Sequence, residues 1–98
     1  MTKTFNIKIP TTIMRLGEER VVHLVRDGLE EELHDDDFKI LAKQNNSIRP
    51  LIKNIDREDI SDLNKLIRDV VERLEDDDLE VVEITANTMR GMCQIKAR

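Results

Sequence analysis

The sequence predicts an α+β fold in which a small, mainly antiparallel three-stranded sheet is covered by two or three helices. Apolar residues alternate with polar ones at both ends of the chain: Phe5, Ile7 and Ile9 near the start, and Met89 to Ala97 near the finish. An alternation of period 2 places one set of side chains on one face of a strand, so both ends need a common apolar partner. The segment between them has helical periodicity and can supply that partner. The expected order is β-α-α-α-β-β.

Length and composition indicate one folded unit. The chain has 98 residues, of which 38% are charged and 39% hydrophobic. A chain of this size buries roughly two-thirds of the surface that its unfolded form exposes, which suffices for one core and is too little for two. We therefore expect residues 1–98 to form a single α+β domain.

Cysteine usage and hydropathy indicate the cellular compartment in which we expect the protein. The single cysteine, Cys93, cannot form an internal disulfide, which favours a reducing, intracellular setting. No segment approaches the apolar length of a membrane helix, and the N-terminus lacks the apolar run of a signal peptide. We expect a cytoplasmic protein that does not enter a membrane.

The N-terminal half is expected to contain one strand and two helices. The strand runs from about Thr4 to Ile9, and Thr11 or Thr12 can cap the helix that follows it. This helix has apolar residues at steps of four or seven, namely Met14, Val21, Val25, Leu29 and Leu33. Gly17 and Gly28 each weaken it by about 1 kcal/mol relative to alanine, or mark a break.

A short second helix is expected from Asp36 or Asp37, carrying Phe38, and a turn at residues 44–47. Arg49 precedes Pro50, which we expect to force Arg49 out of the helical region.

The C-terminal half is expected to contain the longest helix and a hairpin. The helix spans about Arg57 to Glu75, with Asp56 placed to accept the free amides of its first turn. Its apolar stripe consists of Ile60, Leu63, Ile67, Val70, Val71 and Leu74, and its outer face offers the opposite-charge pairs Lys65/Asp69, Arg68/Glu72 and Asp69/Arg73. Leu79 to Ala86 and Met89 to Ala97 then form the hairpin around Asn87-Thr88.

The residues that usually carry chemistry form no arrangement specific for catalysis, a metal or a cofactor. His23 lies on the predicted polar side of the first helix, whereas Cys93 shares the core-directed face with Ile95. A Cys–His nucleophilic pair needs hydrogen-bond contact, which no spacing here requires. The three glycines form no phosphate-binding loop. We therefore expect a protein that is not an enzyme and has no cofactor and no metal site.

The segment Phe5-Asn6-Ile7-Lys8-Ile9-Pro10, followed by a helix, resembles the N-terminal ribbon of ribbon-helix-helix repressors of the Arc type. In that family the strand pairs with its dimer mate, and its alternate polar residues contact bases in the major groove. The resemblance implies this role for Thr4, Asn6 and Lys8, and makes a DNA-binding transcriptional regulator the alternative function. The acidic charge of the chain makes nucleic acid the less favoured partner, because phosphate binding needs clustered cations.

The function that remains is a small acidic protein-binding module that regulates or inhibits a larger protein, as some virus-encoded and phage proteins do. Residues 51–78 hold five basic and ten acidic residues, a charge of −5 that equals the net charge of the chain. We expect a basic protein surface to bind the carboxylates on the outer side of the long helix and its turn: Asp62, Asp69, Glu72, Asp76, Asp77 and Asp78. Exposed sheet edges also allow a homo-oligomer. The alternative for such charge runs is that they only keep the protein soluble.

Overall fold

Helices connect the first strand to a C-terminal hairpin in a computed structural model that describes residues 2–98. The elements are β1 (Lys3–Lys8), α1 (Thr11–Met14), α2 (Glu18–Glu30), α3 (Asp35–Gln44), a 3-10 turn (Asn46–Ile48), α4 (Arg49–Lys53), α5 (Arg57–Asp76), β2 (Val81–Asn87) and β3 (Met92–Ala97). The predicted α+β class and the β-α-α-α-β-β order are confirmed. In addition, α1 is separate from α2, and the 3-10 turn and α4 lie between α3 and α5. Among the described residues, no helix is both long and apolar enough to cross a membrane.

The sheet has the order β1-β3-β2, and both strand pairs are antiparallel. The central strand β3 places Ile95 opposite Phe5 on one side and opposite Ile84 on the other. All three residues are buried. Because side chains alternate between faces, this register gives the sheet one apolar face, which the helices cover, and one polar face.

The core lies between the apolar face of the sheet and helices α2 and α5. Residues with less than 2% exposure come from the sheet and from both helices, and include Val21 and Leu24 of α2, Leu63 of α5 and Ile95 of β3. Gly28 allows α2 to approach α5, because a Cβ atom there would lie 2.7 Å from Cδ1 of Ile67. This glycine therefore lies inside α2 without interrupting it.

Gly17 marks the break in the predicted first helix. Its φ of +98° is a backbone conformation that residues with a Cβ rarely adopt, so α1 ends before it and α2 begins at Glu18. The Arg20 side chain donates from Nη1 to the carbonyl oxygen of Leu16, in the connection between α1 and α2, at 3.0 Å. Of the stripe predicted for one long helix, Met14 therefore lies in α1, Val21, Val25 and Leu29 lie in α2, and Leu33 lies in the connection after α2.

The prediction that Arg49 lies outside the helical region is wrong. Its φ and ψ are −52° and −45°, and α4 begins at this residue. Pro50 lies in the first turn of α4, where a missing backbone N–H breaks no helical hydrogen bond. The restriction that proline imposes on its predecessor disfavours the helical region without forbidding it.

The hairpin loop is longer than predicted. Residues 88–91 separate the strands, Gly91 has a φ of +64°, and Oδ1 of Asn87 accepts a hydrogen bond from the amide of Arg90. Met89 therefore belongs to the loop, where it is 97% exposed, and β3 begins only at Met92. The predicted helix cap at Asp56 is confirmed, since its Oδ1 accepts from the amide of Glu58 at 2.9 Å.

Candidate functional site

Four of the carboxylates predicted to contact a partner lie on α5, on the side that faces away from the core, and Asp77 and Asp78 follow its end. The acidic face, as we name it, comprises Asp62, Asp69, Glu72, Asp76, Asp77 and Asp78, all of which are exposed. Its members Asp62, Asp69 and Asp76 are spaced by two helical turns, which sets them in a row with intervals of about 10 Å. Leu63 and Ile67, which lie on the opposite side of α5, are buried. The helix thus separates its charges from its apolar stripe.

Within residues 2–98, the arginines of α5 form no ion pair with a member of this face. The three ion pairs predicted along the helix, Lys65/Asp69, Arg68/Glu72 and Asp69/Arg73, do not form. Nη2 of Arg68 instead lies 3.4 Å from Oε1 of Glu32, and the guanidinium of Arg73 lies over the ring of Phe5, 5.6 Å from its centroid. Each arginine therefore contacts a neighbouring segment, and within residues 2–98 the carboxylates of Asp69 and Glu72 form no ion pair.

One member of the acidic face is paired. Nζ of Lys3 donates to Oδ2 of Asp77, and this contact lowers the pKa of the Asp77 carboxyl below its ordinary value. Asp78, which follows, has a φ of +51°, a left-handed conformation that aspartate tolerates better than most residues. The ion pair joins β1 to the end of α5, so Asp77 has a structural contact that the other five carboxylates lack.

The residues of the alternative DNA-binding surface, Thr4, Asn6 and Lys8, are all exposed on the polar face of the sheet. Their partners on β3 are Lys96, Gln94 and Met92 in that order, and Nε2 of Gln94 donates to Oδ1 of Asn6 at 3.4 Å. β1 pairs with β3 of its own chain over its whole length, whereas the ribbon of the resembling family pairs with a second copy. β1 is an outer strand of the sheet, so its other edge has no strand partner within residues 2–98.

The candidate nucleophile and the two imidazoles lie in different environments. Cys93 is fully buried, and burial raises the pKa of its thiol to about 11. His23 is exposed, with Nε2 3.3 Å from Oδ2 of Asp27, and His34 is exposed at the start of α3, where its amide donates to Asp37. Within residues 2–98 no hydrogen bond joins Cys93 to a histidine, and no cluster of three His, Cys, Asp or Glu side chains is arranged to hold a metal ion.

A second surface, which the sequence analysis missed, lies where α3, α4 and the start of α5 meet. We name it the basic groove; it has a volume of about 500 Å³. Its floor is apolar and its rim is cationic. The floor consists of Phe38, Ala42, Ile52, Ile55 and Ile60, and the rim of Lys39, Lys43, Arg49, Lys53 and Arg57, with Asp35 at one end.

The signal for this groove is present in the sequence. Residues 38–55 contain four basic residues and no acidic one. The acidic runs at 35–37 and 56–59 flank this segment and hide it when charge is counted over longer windows. Two separate helices, α3 and α4, bring its four cations to one rim, so helical periodicity alone does not show that they converge.

Comparisons of the chain with protein-family models, with curated proteins and with solved structures give no match.

Proposed function

We propose that the chain is a non-catalytic protein-binding module that regulates or inhibits a larger protein, and that its acidic face docks on a basic surface of that protein. The observation that carries the proposal is the row of carboxylates along α5, since the two arginines beside it contact Glu32 and Phe5 instead. Unpaired carboxylates on a rigid helix present a fixed pattern of negative charge to a partner.

Complementary charge acts mainly on the rate of encounter. Opposite potentials on two surfaces steer diffusional association and raise the on-rate, and salt screens this effect. The proposal therefore predicts a partner whose association rate falls with ionic strength. It also predicts that neutralising the face slows association more than it speeds dissociation.

The test compares two charge-matched variants. The first, Asp62→Asn/Asp69→Asn/Glu72→Gln, neutralises the first three members of the acidic face along the chain. The control, Glu19→Gln/Glu30→Gln/Glu31→Gln, removes the same charge from exposed positions on and just after α2. Partners captured from the native host at moderate salt are identified by mass spectrometry and then purified for measurement of their association rates.

We expect a partner with a basic surface that binds the wild type and the control alike, and associates several-fold more slowly with the acidic-face variant. A further variant, Asp76→Asn/Asp77→Asn/Asp78→Asn, extends the test to the turn and should have the same effect. Equal association rates for wild type and acidic-face variants would contradict the proposal and return these residues to a role in solubility.

The sheet edges suggest a homo-oligomer within the same proposal. β1 and β2 are the outer strands, so each has one side without a strand partner. Two copies could pair such edges by main-chain hydrogen bonds. Sedimentation equilibrium over a range of protein concentrations tests this point, and a mass equal to one chain throughout would contradict it.

We propose the cytoplasm as the compartment, where the buried thiol of Cys93 stays reduced.

A further inference from the structure

The basic groove opposes the charge of the rest of the molecule. Residues 38–55 carry +4, whereas the other eighty residues carry −9. We propose that this groove binds an acidic peptide segment with apolar side chains, in which the apolar side chains fill the floor and the carboxylates contact the rim. This is a second interaction, on a surface separate from the acidic face.

The rim has cations available for such a ligand. Arg57 is 3.4 Å from the carboxylate of Asp35 and Nζ of Lys39 is 3.9 Å from Oδ1 of Asp36, so two of the five cations are already paired. Lys43 and Lys53 form no ion pair within residues 2–98, and Arg49 donates only to the neutral side chain of Asn46. These three exposed cations therefore lie around an apolar floor without a carboxylate to neutralise them.

The floor determines which anion fits. Ile52, Ile55 and Ile60 are only half-buried, so apolar surface remains open to solvent between the cations. Covering it with leucine-like side chains removes apolar area from water, while carboxylates of the same segment reach the rim. An amphipathic helix laid into an apolar groove meets both requirements, and a cleft of about 500 Å³ lies in the range of ligand-binding clefts.

Other anionic occupants match the groove less well. Single-stranded nucleic acid needs exposed rings for base stacking, and Phe38, the aromatic residue of the floor, is 2% exposed. A second copy of the chain would present its acidic face, whose carboxylates lie on the polar side of α5 without apolar side chains between them. Neither occupant covers the apolar floor.

The experiment uses a fluorescein-labelled synthetic peptide. Its leucines are placed at helical spacing, and all remaining positions are Asp or Glu. Binding to the full chain is followed by fluorescence anisotropy at moderate salt. Two comparison probes are a peptide with serines in place of the leucines and a labelled single-stranded oligonucleotide of the same charge. We expect saturable binding of the leucine peptide and at least about tenfold weaker binding of both comparison probes.

Two protein variants locate the site. Lys43→Gln/Arg49→Gln/Lys53→Gln removes the unpaired rim cations, and Lys8→Gln/Lys65→Gln/Arg90→Gln removes the same charge from exposed positions elsewhere. We expect affinity for the leucine peptide to fall about tenfold in the rim variant and to change less than about twofold in the control. Circular dichroism establishes that both fold, and the single variant Lys43→Glu replaces the triple variant if that one unfolds.

Several outcomes would overturn the proposal. The first is that the leucine peptide does not bind the wild type. The second is that the serine peptide or the oligonucleotide binds as tightly as the leucine peptide. The third is that the rim variant and the control lose the same affinity for the leucine peptide. Sedimentation equilibrium adds one more: a wild-type dimer that the rim variant dissociates would make a second copy the occupant. Because the rim variant leaves the acidic face intact, failure here does not bear on the proposed function, and the acidic-face variants should bind the peptide normally.

Discussion

The side-chain amide of Asn64 makes two hydrogen bonds to the backbone of one residue, Leu33. Its Oδ1 accepts from the amide of Leu33 at 2.9 Å, and its Nδ2 donates to the carbonyl oxygen of Leu33 at 2.8 Å. Asn64 lies on the buried side of α5, and Leu33 lies in the connection between α2 and α3. These bonds fix the connection against the longest helix and satisfy the buried backbone amide and carbonyl of Leu33.

Asn64→Ala should lower the free energy of unfolding by about 1–3 kcal/mol, because it leaves the buried amide and carbonyl of Leu33 without partners. Urea unfolding measures the change. Lys65→Ala is the matched control on the same helix; it removes an exposed side chain and should change stability by less than about 0.5 kcal/mol.

Asn64→Asp distinguishes the hydrogen bonds from side-chain volume. The carboxylate can accept from the amide of Leu33 but cannot donate to its carbonyl oxygen, so it should not restore wild-type stability. Equal stability of the wild type, Asn64→Ala and Asn64→Asp would show that the two hydrogen bonds contribute nothing.

The sheet and its shared core imply a second prediction. Ile7 of β1 and Ile67 of α5 are 4% and 2% exposed, in elements sixty residues apart along the chain. Ile7→Ala and Ile67→Ala should each cost about 2–5 kcal/mol of unfolding free energy, since each leaves a cavity in the same core. Val82→Ala at an exposed position of β2 serves as the control. A change below about 0.5 kcal/mol for both buried sites would contradict a shared core.

The elements could be predicted where one-dimensional periodicity reports burial. Alternation at Phe5 and Ile7 and at Cys93 and Ile95 indicated two half-buried strands, because each strand has only one covered face. The heptad-like stripe of α5 and its cap at Asp56 indicated the long helix for the same reason.

The tertiary contacts could not be predicted in this way. That β3 lies between β1 and β2 is decided by packing, which a pattern within one strand does not contain. Arg68 pairs with Glu32 and Arg73 lies over the ring of Phe5, whereas the sequence predicted partners along α5. Glu32 and Phe5 come within reach of these arginines only in the folded chain. The basic groove is assembled from three helices, so its cations converge only in three dimensions.

The polar face of the sheet implies a third prediction, on nucleic acid. Thr4, Asn6 and Lys8 are exposed there, yet β1 pairs with its own chain and the net charge is −5. We expect no sequence-specific duplex binding in a gel-shift assay, and no change in stability for Asn6→Ala/Lys8→Ala. Tight, sequence-selective complexes that this double variant abolishes, and that weaken steeply with salt, would instead establish the alternative DNA-binding function.

The last prediction concerns the pH dependence of folding through Cys93. Burial raises the pKa of its thiol from 9.0 to about 11 in the folded protein. The unfolded chain loses this proton at lower pH, so unfolding releases a proton in that interval and the unfolding free energy falls as pH rises. The contribution of the thiol is fully present below about pH 9 and is lost as pH rises through about 11. Cys93→Ala should be less stable at neutral pH because of the cavity it leaves, but its stability should decline less steeply over this interval. Urea unfolding of both proteins across the alkaline range measures the two slopes, and subtracting one from the other removes the titration of lysines common to both.

A thiol reagent should also label Cys93 slowly in the native protein and rapidly in denaturant, since the reactive thiolate is suppressed by burial. Parallel slopes together with rapid native labelling would show that the thiol is accessible and that this pH dependence has another source.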